Sequence, residues 1–173
     1  MFKWLFGSKE AAGPEVSGNK ELLVVSQKVA GTPERAFAVF VDEIDRWWPR
    51  DLTWGKDNLA AIGIEPKMGG KCFERTTDGA IAVWGTVLSI QRPAHIVIAW
   101  QVKADRSAEP DERTASRVDV RFVAVEGQPT TDVVVVHRDF PRHGDGWEAY
   151  RTKMASNEGW PRLIGLYAKA VEA

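Results

Sequence analysis

Arg117 to Ala124, read as RVDVRFVA, switches between polar and apolar at every step from Arg117 to Phe122. Val118, Val120, Phe122 and Ala124 fall on one side, and Arg117, Asp119 and Arg121 on the other. A period of two belongs to an extended strand with one buried and one wet face; on a helix the same residues would be smeared around the whole surface. The pattern is sustained from about residue 60 to 140, through AAIGIEP, KCFERTT, AIAVWGTVLSIQ, AHIVIAWQVKA, SRVDVRFVAVEG and TTDVVVVHRD. Ile96, Ile98, Trp100 and Val102 share a face in the fourth of these. Turn signals divide them: Pro66 to Gly70, Asp78-Gly79 and Pro93. Connections this short imply an antiparallel meander.

The period changes at both ends. After a first strand, ELLVVSQKVAG, Thr32 is placed as an N-cap with Pro33 at the first helical position and Glu34 in the first turn. Phe37, Phe40, Val41, Ile44, Trp47 and Trp48 then follow helical spacing until Pro49. Towards the C-terminus Trp147, Tyr150, Arg151 and Met154 make a short amphipathic piece, with Asp145 as its expected cap. Trp160, Leu163, Ile164, Tyr167 and Val171 make a longer one, with Ser156 or Asn157 as its cap. An antiparallel sheet with one apolar face must cover it, and these helices are the elements available. The expectation is an α+β chain: a curved antiparallel sheet of about six or seven strands wrapped on a C-terminal helix, with a short helical segment after the first strand.

At 173 residues the chain is long enough for one core without staples. Residues 21–173 are expected to form that single domain, and residues 1–20, rich in Gly, Ser, Lys and Glu, a mobile tail. The tail also carries an apolar patch, Phe2, Trp4, Leu5 and Phe6, able to dock on this domain, on a second copy or on a membrane surface. A formal net charge of -1 without strong clustering argues against nucleic acid as a partner. A single cysteine, Cys72, excludes an internal disulfide and reads as a small buried hydrophobe. No apolar run approaches the roughly 18 residues needed to span a bilayer, so no stable membrane anchor is expected and the chain is placed in the cytoplasm. Monomer and homodimer both remain open.

The order and spacing of TPERAFAVFVD with WWP, IEPKMGGKCFERTTDG, WGTVLSIQRP, IAW, TTDVVVVHRDF and GWPRLIGLYAKAV carry a resemblance. From about residue 22 to 172 the chain resembles the helix-grip superfamily of the START domain and the birch-pollen allergen. Within it the branch is that of the activator of heat-shock protein 90 ATPase homologues. The resemblance implies a cavity between sheet and C-terminal helix that holds a small hydrophobic molecule, in some relatives with a cyclisation or hydrolysis. Chaperone activation belongs to proteins with a further N-terminal domain, for which about 20 tail residues leave no room, so chaperone contact is a weaker third reading.

The eight tryptophans exceed what such a core requires. Trp47, Trp48, Trp84, Trp100, Trp147 and Trp160 are therefore candidate walls of an aromatic-lined pocket. In HRDFPRHGD, period two puts His137 on the face of Val133 and Val135. It is either a polar anchor for a ligand or a partner satisfied within the core. Asp139, His143 and Asp145 do not complete a metal motif, and the stretch reads as strand end, turn and helix cap; no metal and no cofactor are expected. Glu65 and Glu74 flank the PKMGGK turn; Glu74 is a candidate ligand contact, and Glu74 or His137 the acid or base if the cavity performs chemistry.

Overall fold

The computed structural model describes residues 12–173, so the Phe2 to Phe6 patch lies outside the described residues. Eight antiparallel strands form one sheet: β1 Glu15–Gly18, β2 Leu23–Ala30, β3 Leu59–Ile64, β4 Lys71–Thr76, β5 Ile81–Gln91, β6 His95–Trp100, β7 Ser116–Ala124 and β8 Thr130–Arg138. Their order across the sheet is β1-β2-β8-β7-β6-β5-β4-β3. Helices α1 Pro33–Val41 and α2 Ile44–Trp47 cross from β2 to the far edge, and α3 Trp147–Met154 and α4 Trp160–Glu172 follow β8.

Seven of the strands are those the alternation marks. The eighth, β1, is a correction: it falls inside the segment expected as a tail. Its four residues are all exposed and pair through backbone with β2, Glu15 opposite Ser26 and Gly18 opposite Leu23, so no apolar period advertises it.

Register shifts at Cys72/Phe73 and at Val87/Ser89 bend the sheet where β5 meets its two neighbours. Gly85 sits inside that bend because a Cβ there would stand 2.8 Å from Ile98 Cγ2 and 2.9 Å from the Ala99 carbonyl. The concave face grips α4, whose Trp160, Leu163, Ile164, Tyr167 and Val171 are all buried. Each such side chain contributes about 1.5–3 kcal/mol by burial.

Thr32 caps α1 as expected, accepting from the Arg35 N–H at 3.2 Å, with Pro33 in the first turn. The helical run then breaks at Asp42 and Glu43 into two pieces rather than one. The other two expected caps are corrected. Asp145 is exposed and the N-cap of α3 is Gly146, in the left-handed region at φ 87°. Ahead of α4, Ser156 accepts from Glu158 N–H and donates to the Lys153 carbonyl within the turn, while the cap is Gly159, where a Cβ would meet the Met154 carbonyl at 2.3 Å. The outer face of β7 is not uniformly wet either: Asp119 is buried, 2.6 Å from His95 Nε2.

Candidate functional site

The interface between sheet and α4 holds two polar regions. One surrounds His137, which period two correctly turns inward on β8, beyond Val133 and Val135. Its imidazole is fully buried, stacked 4.1 Å from Phe140. Trp160 Nε1–H donates to His137 Nδ1 at 3.1 Å. An indole N–H can only donate, so Nδ1 carries no proton and the proton sits on Nε2. His137 Nε2–H then donates to Ser116 Oγ at 2.7 Å, which leaves the Ser116 hydroxyl to donate to His143 Nε2 at 2.7 Å. The relay ends at His143 Nδ1, buried without a partner among the described residues. Burial, reinforced by the neighbouring His143, holds the His137 pKa well below the usual histidine value; burial also lowers that of His143.

The second region is aromatic. Trp48, extended at the end of α2, stacks on Trp84 of β5 at 5.8 Å and 19°. Trp100 of β6 closes the group edge-on to Trp84 at 5.8 Å. Between them and the loop after α2 lies a cavity with about 50 Å³ open to a water-sized sphere, lined by Trp48, Trp54, Glu74, Trp84, Trp100 and Tyr150 among others. That is room for a few waters, far short of the roughly 300–1,000 Å³ of a drug-sized site, so a larger occupant has to open it.

Polar groups converge on this space. Glu74, on β4 and only 5% exposed, accepts the backbone N–H of Trp54 at 2.9 Å and of Gly55 at 3.0 Å. Desolvation pushes its pKa above the ordinary glutamate value, against the two amides and the charge of Arg106. Tyr150 accepts from Trp100 Nε1–H at 2.8 Å and donates to the Val102 carbonyl at 2.7 Å. The Trp84 indole N–H is buried and has no partner among the described residues. An orphaned buried donor costs about 1–3 kcal/mol unless something else accepts from it.

Of the candidate residues, Trp48, Glu74, Trp84 and Trp100 therefore border the cavity. His137 does not, because Trp160 and Phe140 enclose it and both ring nitrogens are engaged. Trp160 stands 5.5 Å behind Trp100 and spends its N–H on His137. Trp47 is core, donating to the Val39 carbonyl at 2.9 Å and packing on Phe40 and Tyr167. Trp147 is half-buried at the start of α3, with the Lys20 ammonium 5.9 Å from its ring. Trp54, Tyr150 and Arg106 line the cavity without having been singled out; Trp54 and Arg106 lie in loops, where no period shows which way a side chain turns. Glu65 is outside it, 3.9 Å from Lys67. In HRDFPRHGD, Asp139 turns to Arg117 at 3.8 Å and Arg142 at 3.9 Å, and no group of three or more potential metal ligands forms among the described residues. Likewise no described helix is long and apolar enough to cross a membrane.

Residues 30–171 match the family described as activator of Hsp90 ATPase homolog 1-like protein. Among solved structures, an anthrahydroquino-gamma-pyrone synthase, Txn09, is 28% identical, with 88% of this chain and 99% of that one covered at a TM-score of 0.61. The self-sacrificing resistance protein CalC from Micromonospora echinospora is 24% identical over 89% and 96%, at 0.61. An HSP90 activator from Plasmodium falciparum is 21% identical over 83% and 93%, at 0.51. The last two likenesses establish the fold alone. The comparison with curated proteins found no match.

Proposed function

This chain belongs to the family of activator of Hsp90 ATPase homolog 1-like proteins, and on that premise we propose that it binds a small planar aromatic molecule at the Trp48–Trp84–Trp100 cluster. The observation that carries this is the Trp84 N–H, a buried donor without an acceptor in the wall of an aromatic cavity. A ring slotted between indoles gains stacking and apolar burial, and an oxygen on that ring satisfies the donor. Supporting it, a relative at 28% identity is named for a fused-ring product.

The test is titration with a panel of oxygenated fused-ring aromatics, read by tryptophan fluorescence and melting temperature. A ligand present at a hundredfold excess over its Kd adds about 2.7 kcal/mol and raises Tm by roughly 5 °C or more. A panel in which no member quenches fluorescence or moves Tm refutes the reading.

A second reading, chemistry in the same cavity, is favoured by Glu74 alone. A carboxyl held above its ordinary pKa beside a binding wall is placed to take or give a proton. His137 has no such access. Turnover of a polyketide-like substrate, lost by at least about a hundredfold in Glu74→Gln with substrate affinity retained, is the expected sign; equal turnover in the variant removes this reading.

A further inference from the structure

Outside the cavity runs an open groove of about 520 Å³, bordered by Asp51, Lys56, Arg106, Lys153, Glu158 and Arg162 among others. The two spaces share Leu52, Trp54, Arg106, Lys153 and Glu158. Leu52, Trp54 and Arg106 form a strap across the mouth. Trp54 Nε1–H donates to the Arg106 carbonyl at 2.6 Å, and the Arg106 guanidinium donates to the Leu52 carbonyl. Arg106 holds this position with a left-handed backbone, φ 69°. Its side chain is exposed and makes no ion pair within 4.0 Å among the described residues.

The charge around the strap is uneven. Arg162 is neutralised by a two-pronged pair with Asp51 at 2.8 Å, and Lys103 lies 3.9 Å from Glu109. Among the described residues Lys56, Arg106 and Lys153 have no carboxylate partner within 4.0 Å, against one unpaired carboxylate on the same rim, Glu158. A neutral aromatic ligand would use none of these cations. An acid would use them and would also open the mouth: a carboxylate offers the guanidinium two charged acceptors in place of one neutral carbonyl, a bond roughly twice as strong. Releasing Leu52 would join the 50 Å³ cavity to the groove, which the size of any aromatic ligand requires.

We propose that the ligand is an aromatic carboxylic acid, its ring between Trp48, Trp84 and Trp100 and its carboxylate at the mouth, drawing Arg106 off the Leu52 carbonyl and pairing with Lys153. The proposal rests on the binding reading above and adds the charge of the ligand and its route of entry. Glu74 does not compete for these cations, since it points its carboxylate at the Trp54 and Gly55 amides, and the one carboxylate that does stand at the mouth is Glu158.

The experiment compares anthracene-2-carboxylate with anthracene-2-carboxamide, which has the same ring and nearly the same shape without the charge. Kd is measured by tryptophan quenching at low and high salt for the full chain and for Lys153→Gln and Arg106→Gln. The expected result is tighter binding of the carboxylate by about tenfold at low salt, with the margin shrinking as salt rises and lost in both variants. Lys153 is exposed, so its variant keeps the fold intact, which an unchanged Tm verifies. Carboxamide binding as tight as carboxylate would overturn the acid proposal and leave the aromatic site standing. A margin that survives both substitutions would also overturn it. Failure of both probes to bind would overturn the proposal together with the binding reading.

Discussion

The two polar regions of the sheet–helix interface are built from similar parts and left in different states. Around His137, an indole, an imidazole, a hydroxyl and a second imidazole are joined in one directed chain, with a single loose end at His143 Nδ1. Around Trp84, a buried indole N–H has no partner among the described residues, a carboxylate is desolvated, and space remains. Tyr150 stands between them, lining the cavity with its hydroxyl while its ring meets Phe140 at 5.9 Å and His143 at 5.0 Å. Satisfied polar groups fix a core, whereas an unsatisfied one that faces open space leaves a donor for water or a ligand.

Deleting the equivalent polar atoms should therefore have unequal effects. His137→Leu strands the Trp160 N–H and disrupts the Ser116 link, and should cost about 3 kcal/mol or more in urea unfolding, the largest effect expected here. A cost below about 1 kcal/mol would show that the relay is not what holds this region.

The pH response separates the regions next. His137 and His143 have depressed pKa values in the fold, so below the unfolded value near 6.5 the unfolded chain takes up protons that the native chain does not. Stability is then full above that pH and falls as pH drops through it, by up to about 1.4 kcal/mol per pH unit for the fully buried His137 and by less for the partly exposed His143. Glu74 has the opposite sign. Its raised pKa means the native chain binds a proton first, which offsets part of the loss at lower pH. Urea midpoints at pH 7.5, 6.5 and 5.5 should decline, and His137→Leu should flatten the decline; a wild-type profile flat across this range would contradict the buried neutral pair.

Glu74→Gln keeps one acceptor and loses the charge that holds two amides, so it should cost about 1–2 kcal/mol and speed hydrogen exchange at Trp54 and Gly55 more than elsewhere. Uniform exchange would show that the loop is held by other contacts.

How far this contrast was legible in the sequence depends on the kind of contact. Alternation turned His137 and Trp100 inward, because facing is local and follows from a period of two, whereas Trp84 was marked only by the excess of tryptophan. It could not show that Trp160, on a helix 23 residues later, fills the space in front of His137 and closes it to ligand. Nor could it find Trp54 and Arg106, whose positions come from loops fixed by Glu74 and by one another. The break of the first helix at Asp42 and Glu43 was hidden too, since helical spacing continues across it from Phe40 to Ile44. Cavity size is a difference between packed volumes, which no pattern of facing supplies.

The smallest expected effect on stability is the most telling counterpart to His137. Trp84→Phe removes an N–H that bonds nothing, so it should change unfolding free energy by less than about 1 kcal/mol while weakening aromatic ligands. A large loss of stability would mean that the donor is satisfied in solution and that the two regions do not differ.

The central claim is that the tryptophan region receives a ligand and the histidine region does not. The direct measurement is the 15N–1H spectrum of the eight indole N–H groups during titration with anthracene-2-carboxylate. The Trp84 signal should move furthest, followed by those of Trp48 and Trp54, with Trp47 and Trp160 nearly still. Equal movement of the Trp160 signal, or no movement at Trp84, would contradict the account.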